Sequence, residues 1–195
     1  MVAVRRLDID RALAFSFDGG RVSLDFAGTL GDRGNRSTER LRSPGDLSRW
    51  FGEAGLAEQP PAAGTAQLNQ ARELREVIYR TIRAAMAGRS PDGADVAALN
   101  AAAKHAPLVP QLTPDGRRFR WCAGSPAAAL AVVARDAIDL LASGQIGRVR
   151  ECAAPDCSLL FLDESRPGGR RWCSMARCGN RVKASAAYRR RTRTG

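Results

Sequence analysis

Four of the five cysteines in this 195-residue sequence form a symmetric pattern. Cys152 and Cys157 enclose four residues, fifteen residues follow, and Cys173 and Cys178 enclose four more. Thiolates grouped in this way suit a tetrahedral ion: zinc takes sulfur ligands at about 2.3 Å, and two short-range pairs supply four of them at little cost in loop entropy. Four sulfurs also close the coordination sphere, whereas a catalytic zinc keeps one position open for water. The spacing therefore predicts one structural Zn2+ held by Cys152, Cys157, Cys173 and Cys178; the weaker alternatives are four unrelated buried thiols or a catalytic ion. The fifth cysteine, Cys122, falls at the end of a predicted strand and is expected in the core.

The second resource is charge. The formal net charge is +11 and it is unevenly spread. Residues 148–195 hold twelve basic and four acidic residues, residues 1–147 hold nineteen and sixteen, and no acid follows Glu164. Such a skew selects a polyanionic partner. Arg166, Arg170 and Arg171 flank a Pro-Gly-Gly turn, while Arg177, Arg181, Lys183, Arg189, Arg190 and Arg191 lie on or beyond a predicted final helix; these nine are the candidate nucleic-acid contacts. Phosphate contacts set affinity and its salt dependence without reading sequence. Base reading needs a side chain in a groove, and Asn180 and Arg181 are the candidate readers, with helix capping and a bond near the cysteines as their structural alternatives. Phe161 and Trp172 either stack on unpaired bases or, with Leu160 and Tyr188, fill the small core of the cysteine module.

Catalytic chemistry finds little to work with. His105 is the single histidine, so every His-based triad would have to use it, and its place at a predicted helix end suits a capping or solvent-facing role. The glycine-rich stretch 28–34 lacks the spacing that cradles phosphate. Asp25, in a β-prone apolar run, and Arg72 and Arg75, on one predicted helix face, are candidates for holding a small ligand; an ion pair within the domain is the plainer use of all three. No enzyme is expected.

The elements that must position these groups are legible from local signals. Residues 15–30 read as two short extended pieces around an Asp-Gly-Gly turn. Ser43 and Pro44 open a helix that buries Leu47, Trp50 and Phe51 and stops at Gly55. Apolar residues at helical spacing from Gln67 to Ala87 end at Gly88. A third helix spans 94–104, a Pro-Asp-Gly turn joins two β-prone segments into a hairpin, and Ser125, Pro126 and Gly144 bound a further helix. Residues 1–147 thus read as a mainly helical α+β domain with short strands. In 148–195 the spacer is expected to form a hairpin, residues 159–163 going out, 165–169 turning and 170–173 returning, followed by a helix over 180–191. That order of knuckle, hairpin and helix is treble-clef-like. A module of about 40 residues rarely folds on its own core, and structural zinc supplies roughly 10–16 kcal/mol of apparent binding energy to offset the repulsion of its arginines.

No apolar run reaches the roughly 18–20 residues of a membrane span, and the first fifteen residues carry arginines and aspartates where a signal peptide places its apolar stretch. The cytoplasm is the expected location, where grouped cysteines favour metal over disulfide. No heptad pattern specifies an oligomeric state.

The segment 151–191, ECAAPDCSLLFLDESRPGGRRWCSMARCGNRVKASAAYRRR, resembles the CGNR zinc-finger family, whose name-giving residues stand here as Cys178, Gly179, Asn180 and Arg181. The region before it looks like the ABATE domain that accompanies this finger in bacterial stress-induced transcription regulators. There LDFAGTL (24–30) stands where relatives usually read Leu-Asp-Phe-Val-Asn-Thr-Leu, with Gly28 in place of asparagine. The resemblance implies a finger that binds double-stranded DNA and an N-terminal domain that meets a small-molecule effector or a protein partner. The competing classes are a finger that docks RNA or protein, and a small-molecule enzyme with the finger as scaffold.

Overall fold

The computed structural model describes residues 13–106, 108–122 and 124–193. Its first departure from expectation is α1 (Val22–Ala27), a helix where the sequence suggests extended chain. Asp136, 113 residues further on, accepts hydrogen bonds from the Ser23 backbone N–H (2.9 Å) and hydroxyl (2.5 Å), capping the helix from another element. Leu24 and Phe26 are then fully buried. A cap delivered across the fold overrides local β propensity and leaves no local trace.

After α1, β1 (Leu30–Gly31) and β2 (Thr38–Glu39) pair antiparallel around the loop 32–37. The next elements begin and end on their predicted signals. α2 (Pro44–Glu53) starts at a capping box in which the Ser43 hydroxyl accepts from the Asp46 N–H, and the chain leaves it through Gly55 at φ +71°. α3 (Thr65–Met86) is followed by Gly88 at φ +66°. α4 (Gly93–Ala103) leads to β3 (Val109–Leu112) and β4 (Phe119–Cys122), an antiparallel hairpin in register Val109↔Cys122. The Cys122 side chain lies outside the described residues. α5 (Pro126–Ala142) is capped by Ser125 and followed by Gly144 at φ +73°. Trp50 is fully buried, its ring 4.8 Å from Phe26 and 6.0 Å from Phe51, in one core with the fully buried Ile78 and Ile82 of α3 and Val133 and Leu140 of α5.

Beyond a 3₁₀ turn at Gln145–Arg148, β5 (Val149–Glu151) pairs antiparallel with β6 (Leu160–Leu162), Val149 opposite Leu162 and Glu151 opposite Leu160. This corrects the expected hairpin: residues 159–163 pair backward with β5, not forward with 170–173. The first cysteine pair forms the hairpin's own loop, closed by Cys157 N–H to the Ala154 carbonyl (3.1 Å), while 170–173 comes alongside through Ala153 N–H to the Arg171 carbonyl (2.9 Å).

Strand alternation then gives β6 two roles. Leu160 and Leu162, with Val149, belong to the large core, and Phe161 points the other way into a second cluster with Cys152, Ala154, Leu159, Cys173 and Cys178. Leu160 and Tyr188 therefore do not fill the finger's core as expected: Leu160 serves the N-terminal domain, and Tyr188 is 70% exposed. Trp172 and Val182 pack at the edge of the cysteine cluster. A widened turn at Met175–Gly179 opens α6 (Asn180–Arg193). The whole is a mainly helical α+β domain with three short antiparallel pairs and a small C-terminal finger. Among the described residues, no helix is long and apolar enough to cross a membrane.

Candidate metal centre and nucleic-acid interface

The four sulfurs of Cys152, Cys157, Cys173 and Cys178 all lie within 4.8 Å of one another, those of Cys173 and Cys178 at 3.5 Å. Ligands at about 2.3 Å from one tetrahedral ion stand about 3.8 Å apart, so the cluster fits zinc. Cys152, Cys173 and Cys178 are buried. Two N–H groups already point at sulfur: the Cys173 backbone donates to Cys152 Sγ (3.4 Å), and Arg181 Nη2 to Cys178 Sγ (3.5 Å). Such donors stabilise thiolates and suit a centre that carries net negative charge. Thiols this close otherwise share protons: hydrogen bonding from Cys157 and its neighbours holds Cys152 far below the usual thiol range, and Cys152 in turn pushes Cys173 and Cys178 above it.

Local chemistry explains the rest of the frame. Asp163, buried at the end of β6, accepts at one oxygen from the Ser165 N–H (3.0 Å) and hydroxyl (2.6 Å), and at the other from the Arg170 N–H (3.0 Å). One carboxylate thereby folds the loop 163–170 that returns the chain to the cysteines. The Ser174 hydroxyl accepts from the Arg177 N–H (3.4 Å), and the Ser174 carbonyl from both Cys178 and Gly179. The cap thus falls to Ser174 and not to Asn180. A Cβ at Gly179 would meet the Met175 sulfur at 2.5 Å and Trp172 Cε3 at 3.4 Å, so a side chain there would displace the exposed Met175.

The structure sorts the nine basic candidates. Arg166, Arg171 and Lys183 are exposed, and Arg171 lies 5.1 Å over the Trp172 ring. Arg189 and Arg191 are exposed on α6, and the side chain of Arg190 lies outside the described residues. Arg170 faces inward: its Nε donates to the Trp172 carbonyl (2.9 Å), its Nη2 reaches the Asp18 carbonyl (3.5 Å), and its guanidinium stacks 4.6 Å above Phe161. Arg181 divides its Nη2 between Cys178 and Asp156 (2.7 Å). Arg177 is half-buried.

Asp25, Arg72 and Arg75 serve separate ends. Asp25 Oδ1 accepts from the Gly19 N–H (2.8 Å). Arg75, buried in α3, makes a two-pronged pair with Glu39 (2.7 and 2.8 Å) and a third bond to Glu76; Arg72 donates to the Leu41 carbonyl (3.0 and 2.7 Å). The arginines thus lock β2 onto α3.

Burial raises the Asp25 pKa to about 7, with Asp18 and Asp136 adding to the rise and the Gly19 bond opposing it. An unfolded aspartate releases its proton near pH 4. The folded state therefore binds more protons across that window, and its stability falls as pH rises from about 4 to about 7. Asp25→Asn keeps an acceptor for Gly19 and removes the charge. Its melting temperature should match the parent's near pH 4 and exceed it increasingly up to pH 7, with a ceiling of about 4 kcal/mol; a constant difference across the range would contradict this account.

Contacts across the two cores escaped sequence reasoning. Arg33 donates through its backbone to the Ser158 hydroxyl (3.0 Å) and through its guanidinium to Glu76 and the Ala27 carbonyl, with its charge 4.0 Å over Tyr79. Arg83 pairs with Glu151 (2.6 Å). A Cβ at Gly28 would lie 3.2 Å from a Leu159 methyl, so the small residue there admits the finger's side chain. Arg40 is buried and donates to the Ala14 (3.0 Å) and Gly28 (3.2 Å) carbonyls. Its pKa is lowered by burial and then by repulsion from Arg177, against attraction to Cys157 and Glu39. None of these pairs has a spacing that sequence could reveal.

A helical α+β domain joined through one strand to a four-cysteine finger defines the class of protein. Residues 20–144 match the ABATE family model, described as "Putative stress-induced transcription regulator", and residues 148–191 match the CGNR zinc finger. The chain belongs to the ABATE family and carries a CGNR finger that holds one structural zinc. No curated protein matches it.

Proposed function

We propose that this protein is a cytoplasmic transcription regulator that binds double-stranded DNA through its zinc finger, while its N-terminal domain receives a small-molecule effector or a protein partner. The observation that carries the reading is α6. It has fourteen residues and no acid, and every described residue of it but Val182 is exposed. A helix that is polar all round gains little from a core, and its basic residues with no acid among them form a positive surface that suits a polyanion. It is about 21 Å long, and the major groove of duplex DNA admits an α-helix. The zinc fixes its first turn through Cys178, giving a flexible cationic sequence a defined direction. We assign the protein no catalytic step.

Selection from a random duplex pool with the zinc-loaded full-length protein tests the reading. A shared motif should be enriched, with binding that weakens steeply as salt rises. Equal or tighter retention of structured RNA or of an acidic protein would make the finger a docking module. Small-molecule turnover that survives deletion of residues 148–195 would make the N-terminal domain an enzyme.

A further inference from the structure

A cleft of about 980 Å³ separates the β1–β2 loop of the N-terminal domain from the first turn of α6. Its size is that of a small-molecule site, and such sites favour the seams between domains. Arg40 is on one wall and Arg177 on the other, with Arg36 also lining it. Arg40 is only 9% exposed, and its side-chain hydrogen bonds end on the neutral carbonyls of Ala14 and Gly28. Among the described residues, none of these three guanidiniums has a carboxylate within ion-pairing distance. The two acids of the lining are engaged elsewhere: Asp156 with Arg181 (2.7 Å), and Asp32 with Asn35 and the Arg36 N–H. The negative charge of the metal centre lies along the finger wall, where Arg181 already meets Cys178.

Arg40 is buried, Arg177 is half-buried and the two repel each other, a repulsion that the attraction of Arg40 to Cys157 and Glu39 opposes. A further negative group between two such guanidiniums relieves the cost of holding them there. We propose that the cleft binds a small organic anion whose carboxylate or phosphate group sits between Arg40 and Arg177, with Arg36 at the mouth. Guanidinium forks match both groups with paired hydrogen bonds. A DNA backbone does not reach a cation nine-tenths buried, so the ligand is a small molecule. Because one wall belongs to the N-terminal domain and the other to the root of α6, the anion bridges the two. Its use as a signal rests on the DNA-binding reading; the site itself does not.

The test uses zinc-loaded full-length protein labelled with nitrogen-15. Inorganic phosphate or malonate is titrated in, against chloride at matched ionic strength. Saturable shifts are expected at Gly31, Arg40 and Arg177. Two variants keep Arg40 in place of the riskier Arg40→Ala. Arg177→Ala removes the opposite cation. Gly31→Ala puts a Cβ against Arg40 Nη1 and 3.0 Å from Nη2, displacing the guanidinium with no change in charge. Each should weaken binding about tenfold or more, the loss of one charge-assisted contact. Unchanged affinity in either variant, or unsaturable shifts spread along α6, would mean an adventitious ion only and overturn the proposal. Displacement of the small anions by a duplex oligonucleotide would assign the cleft to DNA instead. Duplex affinity is measured separately: its absence sinks the regulator reading and leaves the anion site standing.

Discussion

Chelating the zinc is expected to lower the melting temperature of the whole chain, not of the finger alone. A finger held only by its own metal would confine that metal's influence to residues 148–195 and leave the preceding helices intact. The structure argues for a wider effect, because Val149, Leu160 and Leu162 of the finger's hairpin are part of the N-terminal core. Each such side chain contributes about 1.5–3 kcal/mol on burial. Releasing three removes roughly 4.5–9 kcal/mol, comparable with the 5–15 kcal/mol that holds an ordinary domain together. At about 2–4 °C per kcal/mol for a chain of this size, the helices should persist after chelation but melt at least about 10 °C lower. Cys173→Ser, at a fully buried ligand, should act in the same direction. Far-UV dichroism against temperature, with zinc content measured alongside, checks both. Helices that melt at an unchanged temperature after zinc loss would show that the β5–β6 hairpin stays in their core without the metal, and would overturn this account.

Replacing Arg166, Arg171 and Lys183 together by alanine should leave zinc content and melting temperature near those of the parent and sharply weaken duplex binding. All three are exposed. If each neutralises one phosphate, the slope of log K against log salt becomes shallower by about 3, and affinity at 0.15 M salt falls about 100-fold. Arg170→Ala and Arg181→Ala should do the reverse. They remove the stack on Phe161 and the bonds to Asp156 and Cys178, so stability or zinc retention should fall more than the salt slope. Titrating each variant with duplex at several salt concentrations separates the two sets. An unchanged slope in the triple variant would move the DNA contact away from these three residues.

What was legible in the sequence was local. Ser43, Ser125, Gly55, Gly88 and Gly144 mark helix ends because capping and left-handed exits act within a turn of the residue itself. The cysteine spacing was readable for the same reason: each pair closes its own short loop. Contacts between distant segments were not. The carboxylate that starts α1 comes from Asp136, and no window around Ser23 contains it. The pairing of β6 turned on which neighbour buried its two leucines, a choice made by the large core and not by the turn that follows the strand. Arg170 and Arg171 are adjacent and chemically alike, yet one is drawn inward by two carbonyls and a ring while the other is exposed. The Arg40–Arg177 cleft joins residues 137 positions apart.

The two-faced strand has a consequence for ancestry. A finger that folds alone can be shuffled between genes as a cassette, carrying its function with it. Here the alternate residues of one three-residue strand serve two masters, so a new host would need a socket shaped for Val149, Leu160 and Leu162 before the graft could take. Cut away from its neighbour, such a module would leave those three side chains bare.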